Sequence, residues 1–345
     1  MNNNKSVDNK VLNELGLDIQ KQSQNQNELE CFIAKPANQW IEEAKSRPIP
    51  KMLFGELWYE GELCILFADT NTGKSILAVQ IADSISKGEP ICNFQLEVVP
   101  QKTVYFDFEL SDKQFEKRCS NNYTEHYSFS DNFIRAEINT EAPMPKEFKS
   151  FEEYLVHSIY KIIETHNPKV IIIDNITYLK ADNERAKDAL SLMKEIKAIC
   201  KKCNISILIL AHTPKRDSSY PITKNDLAGS KMLINFCDSA FAIGESTVGK
   251  STRYIKQIKQ RNTECVYHSD NVAIFEINQK HSLLNFEFMG YDYELNHLTD
   301  NSINDKEKRN SEILELSNEG LSNVEIAEKL GVTEGAVRYQ LKKMK

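Results

Sequence analysis

Leu66-Phe67-Ala68-Asp69-Thr70-Asn71-Thr72-Gly73-Lys74-Ser75 stands between an apolar run, Glu62 to Phe67, and a segment whose Leu77, Ile81 and Ile85 recur at helical spacing. A run that is apolar almost throughout predicts a central parallel strand covered on both faces. Gly73-Lys74-Ser75 then opens an amphipathic helix. Backbone N–H groups at such a helix start point toward anions, and the helix dipole favours phosphate there. Gly73 permits close backbone approach, Lys74 can reach the β- and γ-phosphates, and the Ser75 hydroxyl can ligate magnesium. Asn71, Thr72 and Ile76 complete the stretch expected to wrap the phosphates. Ala68 stands where such loops usually carry glycine, which is tolerable if its φ is negative. The stretch predicts binding of a nucleoside triphosphate.

Working outward, 345 residues suffice for two domains or one large domain with appendages. An apolar content of 41% supports a real core, and a net charge of −7 gives no global case for nucleic-acid binding, so any such binding must come from local basic patches. Met1 to Lys5 contain no apolar targeting region. The longest apolar run, Ile205 to Ala211, is too short to span a bilayer, so no membrane association is expected. Eight scattered cysteines suggest the reduced thiols of a cytoplasmic protein. Cys200-Lys201-Lys202-Cys203 has metal-like spacing but lacks a second pair, and reads as ordinary thiols at a helix end.

Residues 1–30 hold seven Asn and four Gln, and 1–49 read as a polar, partly disordered arm with a small apolar patch at Cys31 to Ala34 and Trp40-Ile41. From 50 to 291, strand-like runs alternate with helical patterns, the signature of an α/β core with a mainly parallel sheet. The clearest strands are 62–67, 103–109, 169–174, 205–211 and 238–243, with a helix marked by Leu190, Met193, Ile196 and Cys200. After Gly244 the pattern becomes hairpin-like, at 253–259, 271–277 and 282–288. Residues 292–305 read as a linker and 306–345 as a small all-α module.

Val170-Ile171-Ile172-Ile173-Asp174 is an apolar strand that places a carboxylate at the carboxyl edge of the sheet, where α/β folds bind ligands. Asp174 can hold the water shell of a magnesium ion shared with Ser75, or serve as a turn or cap aspartate. Tyr105, Asp107 and Glu109 share one face of their strand. Glu109, at its end, can polarise a water attacking the γ-phosphate, with Asp107 the weaker candidate, or it can be a surface carboxylate on the turn. His212 closes another buried strand at the same edge, as a structural histidine or as a donor sensing the γ-phosphate.

The ordered set of phosphate loop, Glu109, Asp174 and His212 resembles the RecA-like ATPases, and within them the ring-forming helicases of the plasmid RepA and DnaB type. Asp226-Leu227-Ala228-Gly229-Ser230, the strand from Asp238, and Ile258-Lys259-Gln260-Arg261-Asn262 are similar to further stretches of that family. The resemblance spans about two-thirds of the chain, roughly residues 50 to 290. It implies ATP and Mg2+ as cofactors, a homohexamer, and Lys259 and Arg261 supplied in trans, with Arg261 as an arginine finger. It also implies that the polar loop with Lys215, Arg216, Lys224 and Lys231 faces a central channel and grips single-stranded DNA.

The tail carries a separate signal. Ile313, Leu314 and Leu316 mark one helix; Ser322 and Glu325 form a capping box for a second; Gly331 makes a turn; and Thr333 caps a third. Ala327, Gly331 and Val337 have helix-turn-helix spacing, resembling many bacterial regulators and sigma-type domains. Gly335, Arg338, Tyr339 and Lys342 are the candidate duplex-facing positions. The expected function is an ATP-driven DNA motor such as a replicative helicase of a plasmid or mobile element. An ATP-switched DNA-binding regulator and a recombinase-like filament former stay open beside it.

Overall fold

Each of the eight strand-like runs expected in the core becomes a strand of one nine-stranded sheet. The computed structural model describes residues 32–175, 186–214, 216–227, 230–299 and 301–343. The arm contributes α1 (Ala37–Lys45). The first half of the core comprises β1 (Met52–Phe54), β2 (Trp58–Tyr59), β3 (Leu63–Ala68), α2 (Lys74–Lys87), β4 (Thr103–Asp107), α3 (Asp112–Arg118), β5 (Ser120–Asn121), β6 (Glu125–His126) and β7 (Phe133–Ala136). Then come α4 (Phe151–His166), β8 (Val170–Asp174), α5 (Ala186–Cys203), β9 (Ser206–His212), α6 (Ser230–Phe236) and β10 (Ser239–Glu245). The meander β11 (Thr252–Lys259), β12 (Val272–Lys280) and β13 (Leu283–Asp292) closes the core, and α7 (Asn301–Asn318), α8 (Asn323–Leu330) and α9 (Glu334–Lys343) follow.

The sheet order is β13-β12-β11-β10-β3-β9-β8-β4-β7. Neighbours from β10 to β7 run parallel, and β10 to β13 pair antiparallel. Strand alternation divides the core in two. Ile65, Phe67, Ile171, Ile173, Ile207 and Ile209 pack with α4 and α5, whereas Cys64, Leu66, Ile172, Leu208 and Leu210 pack with α2. Both faces of the central strands are therefore buried, which is why they read as unbroken apolar runs. Truncating such a side chain, for instance Ile172→Ala, costs about 2–5 kcal/mol.

The expected fold class, an α/β core with a mainly parallel sheet followed by an all-α module, is the one observed. Some details differ from sequence expectation. The stripe of α2 is buried as expected, but the helix is buried almost all round. Gln80 explains this: its amide pairs with both backbone groups of Phe286, at 3.1 and 2.9 Å, and so docks the other face of α2 on β13. Residues 292–299, expected as linker, complete the core. The Glu294 carboxylate is fully buried, accepts from the Ile222 N–H at 2.7 Å, and pairs with Lys256. Its polarity hides this burial from any hydropathy reading. The helix α7 then starts within the expected linker, at Asn301.

In the arm, none of α1 is buried, and Phe32, Trp40 and Ile41 are exposed. The remainder of the arm, including the stretch expected to be disordered, lies outside the described residues. The last three helices have their own core of Ile313, Leu316, Ile326, Ala327 and Val337. Leu314, one of the three apolar residues that mark this helix, is 41% exposed, because consecutive helical residues point about 100° apart. The Ser322–Glu325 capping box forms, and Gly331 ends α8 at φ 62°. The described cysteines are all free thiols, and among the described residues no helix is long and apolar enough to cross a membrane.

Candidate nucleotide site and helix-turn-helix

The loop after β3 curls over the start of α2. Ala68 ends β3 in extended pairing with Ile243 and His212, so alanine is accommodated there without strain. Asn71 adopts φ 65° and Gly73 φ 102°. A Cβ on Gly73 would also approach Ile277 Cδ1 to 2.9 Å, so conformation and space both demand glycine. Lys74 is buried, and its Nζ donates to the carbonyls of Ala68 at 3.0 Å and Asp69 at 2.8 Å. Burial lowers its pKa, while Asp174, Glu109 and Asp69 oppose that shift. Thr72 is buried, with its hydroxyl donating to Asp69 O at 2.8 Å; Ser75 and Ile76 form the first turn, half-buried.

Three strand ends converge beside this loop. Asp174 closes β8, is buried, and accepts hydrogen bonds from the Tyr105 hydroxyl and from Ser75. Burial pushes its carboxyl up to about 6. A buried carboxylate bonded to a helix-start hydroxyl is an all-oxygen donor pair suited to a hard divalent cation. No cluster of three or more His, Cys, Asp or Glu among the described residues could form an all-protein cage. A magnesium ion completed by phosphate and water oxygens requires none.

Glu109 follows β4, with its side chain 40% exposed. His212 foremost, then Lys74 and Arg118, hold its carboxyl below the usual range against partial burial. Asp107 does not share this role. Its buried carboxylate accepts from the N–H groups of Glu109 and Leu110, at 3.2 and 3.0 Å, and from Arg135 Nε at 2.9 Å, so it shapes the turn that presents Glu109. His212 Nε2 lies 3.6 Å from Glu109 Oε1, and Asn175 stands between them.

Arg216 departs most from expectation. Its side chain is only 8% exposed and faces Asp69 of the phosphate loop at 3.4 Å, while an NH1 group donates to Tyr220 O at 2.9 Å. It is therefore a brace of the loop and not a free DNA contact. Arg253 braces the loop from β11, donating to Thr72 O at 3.0 Å, and Thr213 bonds Asp69. Arg216→Ala is expected to loosen the loop by about 1 kcal/mol, which weakens nucleotide binding roughly fivefold and leaves DNA affinity unchanged. Titration with a fluorescent nucleotide and with single-stranded DNA checks this; a loss of DNA affinity alone would reinstate the channel role. Lys224 is exposed on a short 3-10 turn. Lys215 and the side chain of Lys231 lie outside the described residues, as do Ala228 and Gly229.

Lys259 and Arg261 sit at the other edge of the sheet. Ser239 is level with Cys64 and Ile243 with Ala68, whereas Lys259 pairs with Ala240. This separates Arg261 from its own phosphate loop by on the order of 15 Å along the strands. Lys259 Nζ is tied to the carbonyls of Ile234 and Cys237, at 2.6 and 2.7 Å, and burial lowers its pKa. Arg261 is 55% exposed and pairs with Asp238 at 3.1 Å.

Sequence reasoning passed over Arg118. Its NH1 is buried without a hydrogen-bond partner among the described residues, in a cavity shared with Ser75, Ile76 and Leu283. Its signal was weak: a cation nine residues past Glu109, on a short helix of unremarkable polarity. In the tail, Gly335, Arg338, Tyr339 and Lys342 are exposed on α9, with Arg338 paired to Glu334 one turn back.

Comparisons with known proteins match two stretches of the chain. Residues 32–218 match the family described as AAA domain, and residues 307–345 match sigma-70 region 4. No curated protein matches the chain. Among solved structures, a KaiC-like protein from the hyperthermophilic archaeon Pyrococcus horikoshii is similar at a TM-score of 0.44 and 15% identity, over 66% of this chain and 90% of that one.

Proposed function

We propose, since this chain belongs to the AAA domain family and pairs a RecA-like P-loop ATPase core with a helix-turn-helix tail, that it is an ATP-driven motor on DNA. The observation that carries this reading is the division of charged groups between the two edges of one sheet. Lys74, Ser75, Glu109, Asp174 and His212 gather at the carboxyl edge, and Arg261 lies at the amino edge, out of reach of its own loop. A head-to-tail assembly, such as a homohexameric ring of the RepA or DnaB type, brings the two edges together between subunits.

In this reading Lys74 and the α2 N-terminus bind the β- and γ-phosphates, and Arg118 adds positive charge beside them. Ser75 and Asp174 hold Mg2+, which supplies charge neutralisation on the phosphate oxygens. Glu109 accepts a proton from the water that attacks the γ-phosphorus as the bond to the leaving ADP oxygen breaks. The neighbour's Arg261 stabilises charge on the transferring group. His212 begins the loop that carries Lys215, Lys224 and Lys231, so it links phosphate occupancy to the grip on a DNA strand. The tail, through Arg338, Tyr339 and Lys342, contacts duplex DNA and delivers the ring to it.

The test is unwinding of a forked DNA. Wild type is expected to separate the strands with ATP and Mg2+, and Lys74→Ala and Arg261→Ala to abolish separation. DNA-independent ATPase without strand separation would replace the motor with an ATP-switched DNA-binding regulator. The likeness of 307–345 to sigma-70 region 4 favours that second reading.

A further inference from the structure

We propose that Tyr105 is a positioning residue for the magnesium site, its hydroxyl aiming the Asp174 carboxylate at the cation. This placement rests on the ATPase reading above. Tyr105 is fully buried at the centre of β4. Its ring packs on the α2 side of the sheet and lies edge-on to Phe133, at 6.2 Å between ring centres. A phenylalanine would fill that space equally well, so apolar packing accounts for the ring and not for the hydroxyl. A buried hydroxyl is costly unless it is hydrogen-bonded. This one donates to Asp174 Oδ2.

The register explains why a tyrosine reaches. Tyr105 lies opposite Ile172 and Asp107 opposite Asp174, so Asp174 stands one side-chain step nearer the carboxyl edge, on the same face. Diagonal neighbours of this kind are within reach of aromatic side chains. Asp107, although directly opposite Asp174, cannot take the task. It is itself an acceptor, held by Arg135 and two turn amides. The two donors on Asp174 have separate duties. Ser75 bonds it from the start of α2, and a lone pair of the same hydroxyl oxygen remains for Mg2+. Tyr105 bonds it from within the core and fixes the plane of the carboxylate, whose last torsion is otherwise soft. The carboxylate lone pairs left over then face the water shell of the cation. Hydrogen bonds that orient a metal's ligands from behind are worth about 10–100-fold in metal affinity.

The experiment compares full-length wild type with Tyr105→Phe, which keeps the ring and removes the donor, and with Tyr105→Leu, which also loses the packing. Three quantities are measured: melting temperature, affinity for a fluorescent ATP analogue in EDTA, and the Mg2+ midpoint at which that affinity and the ATPase rate rise. Tyr105→Phe is expected to bind metal-free nucleotide within about twofold of wild type. Its Mg2+ midpoint is expected to rise about 10–100-fold, with most of kcat regained at saturating Mg2+. Tyr105→Leu is expected to melt earlier still, at the same Mg2+ midpoint as Tyr105→Phe. An unchanged midpoint in Tyr105→Phe, or one that tracks the melting temperature across the two variants, overturns the proposal. Loss of metal-free nucleotide binding in Tyr105→Phe overturns it as well, since the hydroxyl would then serve the fold. A wild type that hydrolyses no ATP at any Mg2+ concentration would overturn the ATPase reading itself, and this proposal with it.

Discussion

Mixtures of Lys74→Ala and Arg261→Ala subunits are expected to hydrolyse ATP although each variant alone is inactive. Removing Lys74 deletes the cation that reaches the phosphates. Removing an arginine finger costs about 10³–10⁵ in kcat. If Arg261 acts on the next subunit, a productive site needs Lys74 from one protomer and Arg261 from its neighbour. In an equimolar random mixture, about one interface in four satisfies that requirement, whatever the ring size. The expected result is thus recovery of about a quarter of wild-type ATPase. The sheet register is the reason to expect it, since Arg261 and the phosphate loop stand at opposite ends of the central strands. Mixed oligomers verified by mass, yet without recovered ATPase, would count against a shared site.

The second large effect separates stability from activity. Asp174 is buried, and its carboxyl is raised from an ordinary 3.8 to about 6. The unfolded chain therefore releases this proton first as pH rises. Folding stability falls through the window from about 4 to 6, and the full penalty is present at neutral pH. At 1.36 kcal/mol for each unit, that penalty is at most about 3 kcal/mol. Asp174→Asn keeps the shape without the charge. In nucleotide-free protein at pH 7.5 it is expected to raise the melting temperature by a few degrees and to flatten the pH dependence between 4 and 6. The same change is expected to abolish Mg2+-dependent hydrolysis. Calorimetry across pH, without nucleotide or Mg2+, checks the first part; a lower melting temperature would show that the charge is compensated in the resting protein.

Much of the carboxyl edge was legible beforehand because each group there is announced locally. Apolar runs name the strands, and the polar residues that close each run emerge near the strand end, so Asp174, Glu109 and His212 could be placed without a structure. Asp107 could not be demoted in this way. Its competing partners, Arg135 and two turn amides, come from β7 and from a backbone bend. The channel role expected for Arg216 shows the same limit, since Asp69 lies 147 positions earlier in the chain and only the pairing of β3 with β9 brings the two together.

What the sequence determined by itself is therefore local: the phosphate loop and its glycine, five of the six parallel strands, the meander, and the capped helices of the tail. Period and capping chemistry are properties of neighbouring residues, and they survive without tertiary information. Tertiary structure decided how charges were allotted. It set Asn175 between Glu109 and His212, withdrew Arg216 and Arg253 to brace the loop, buried Glu294 in what read as a linker, and stationed Arg261 at the far edge of the sheet. Strand order and register fix such pairings, and both arise from the summed packing of two sheet faces, which no short window of residues contains.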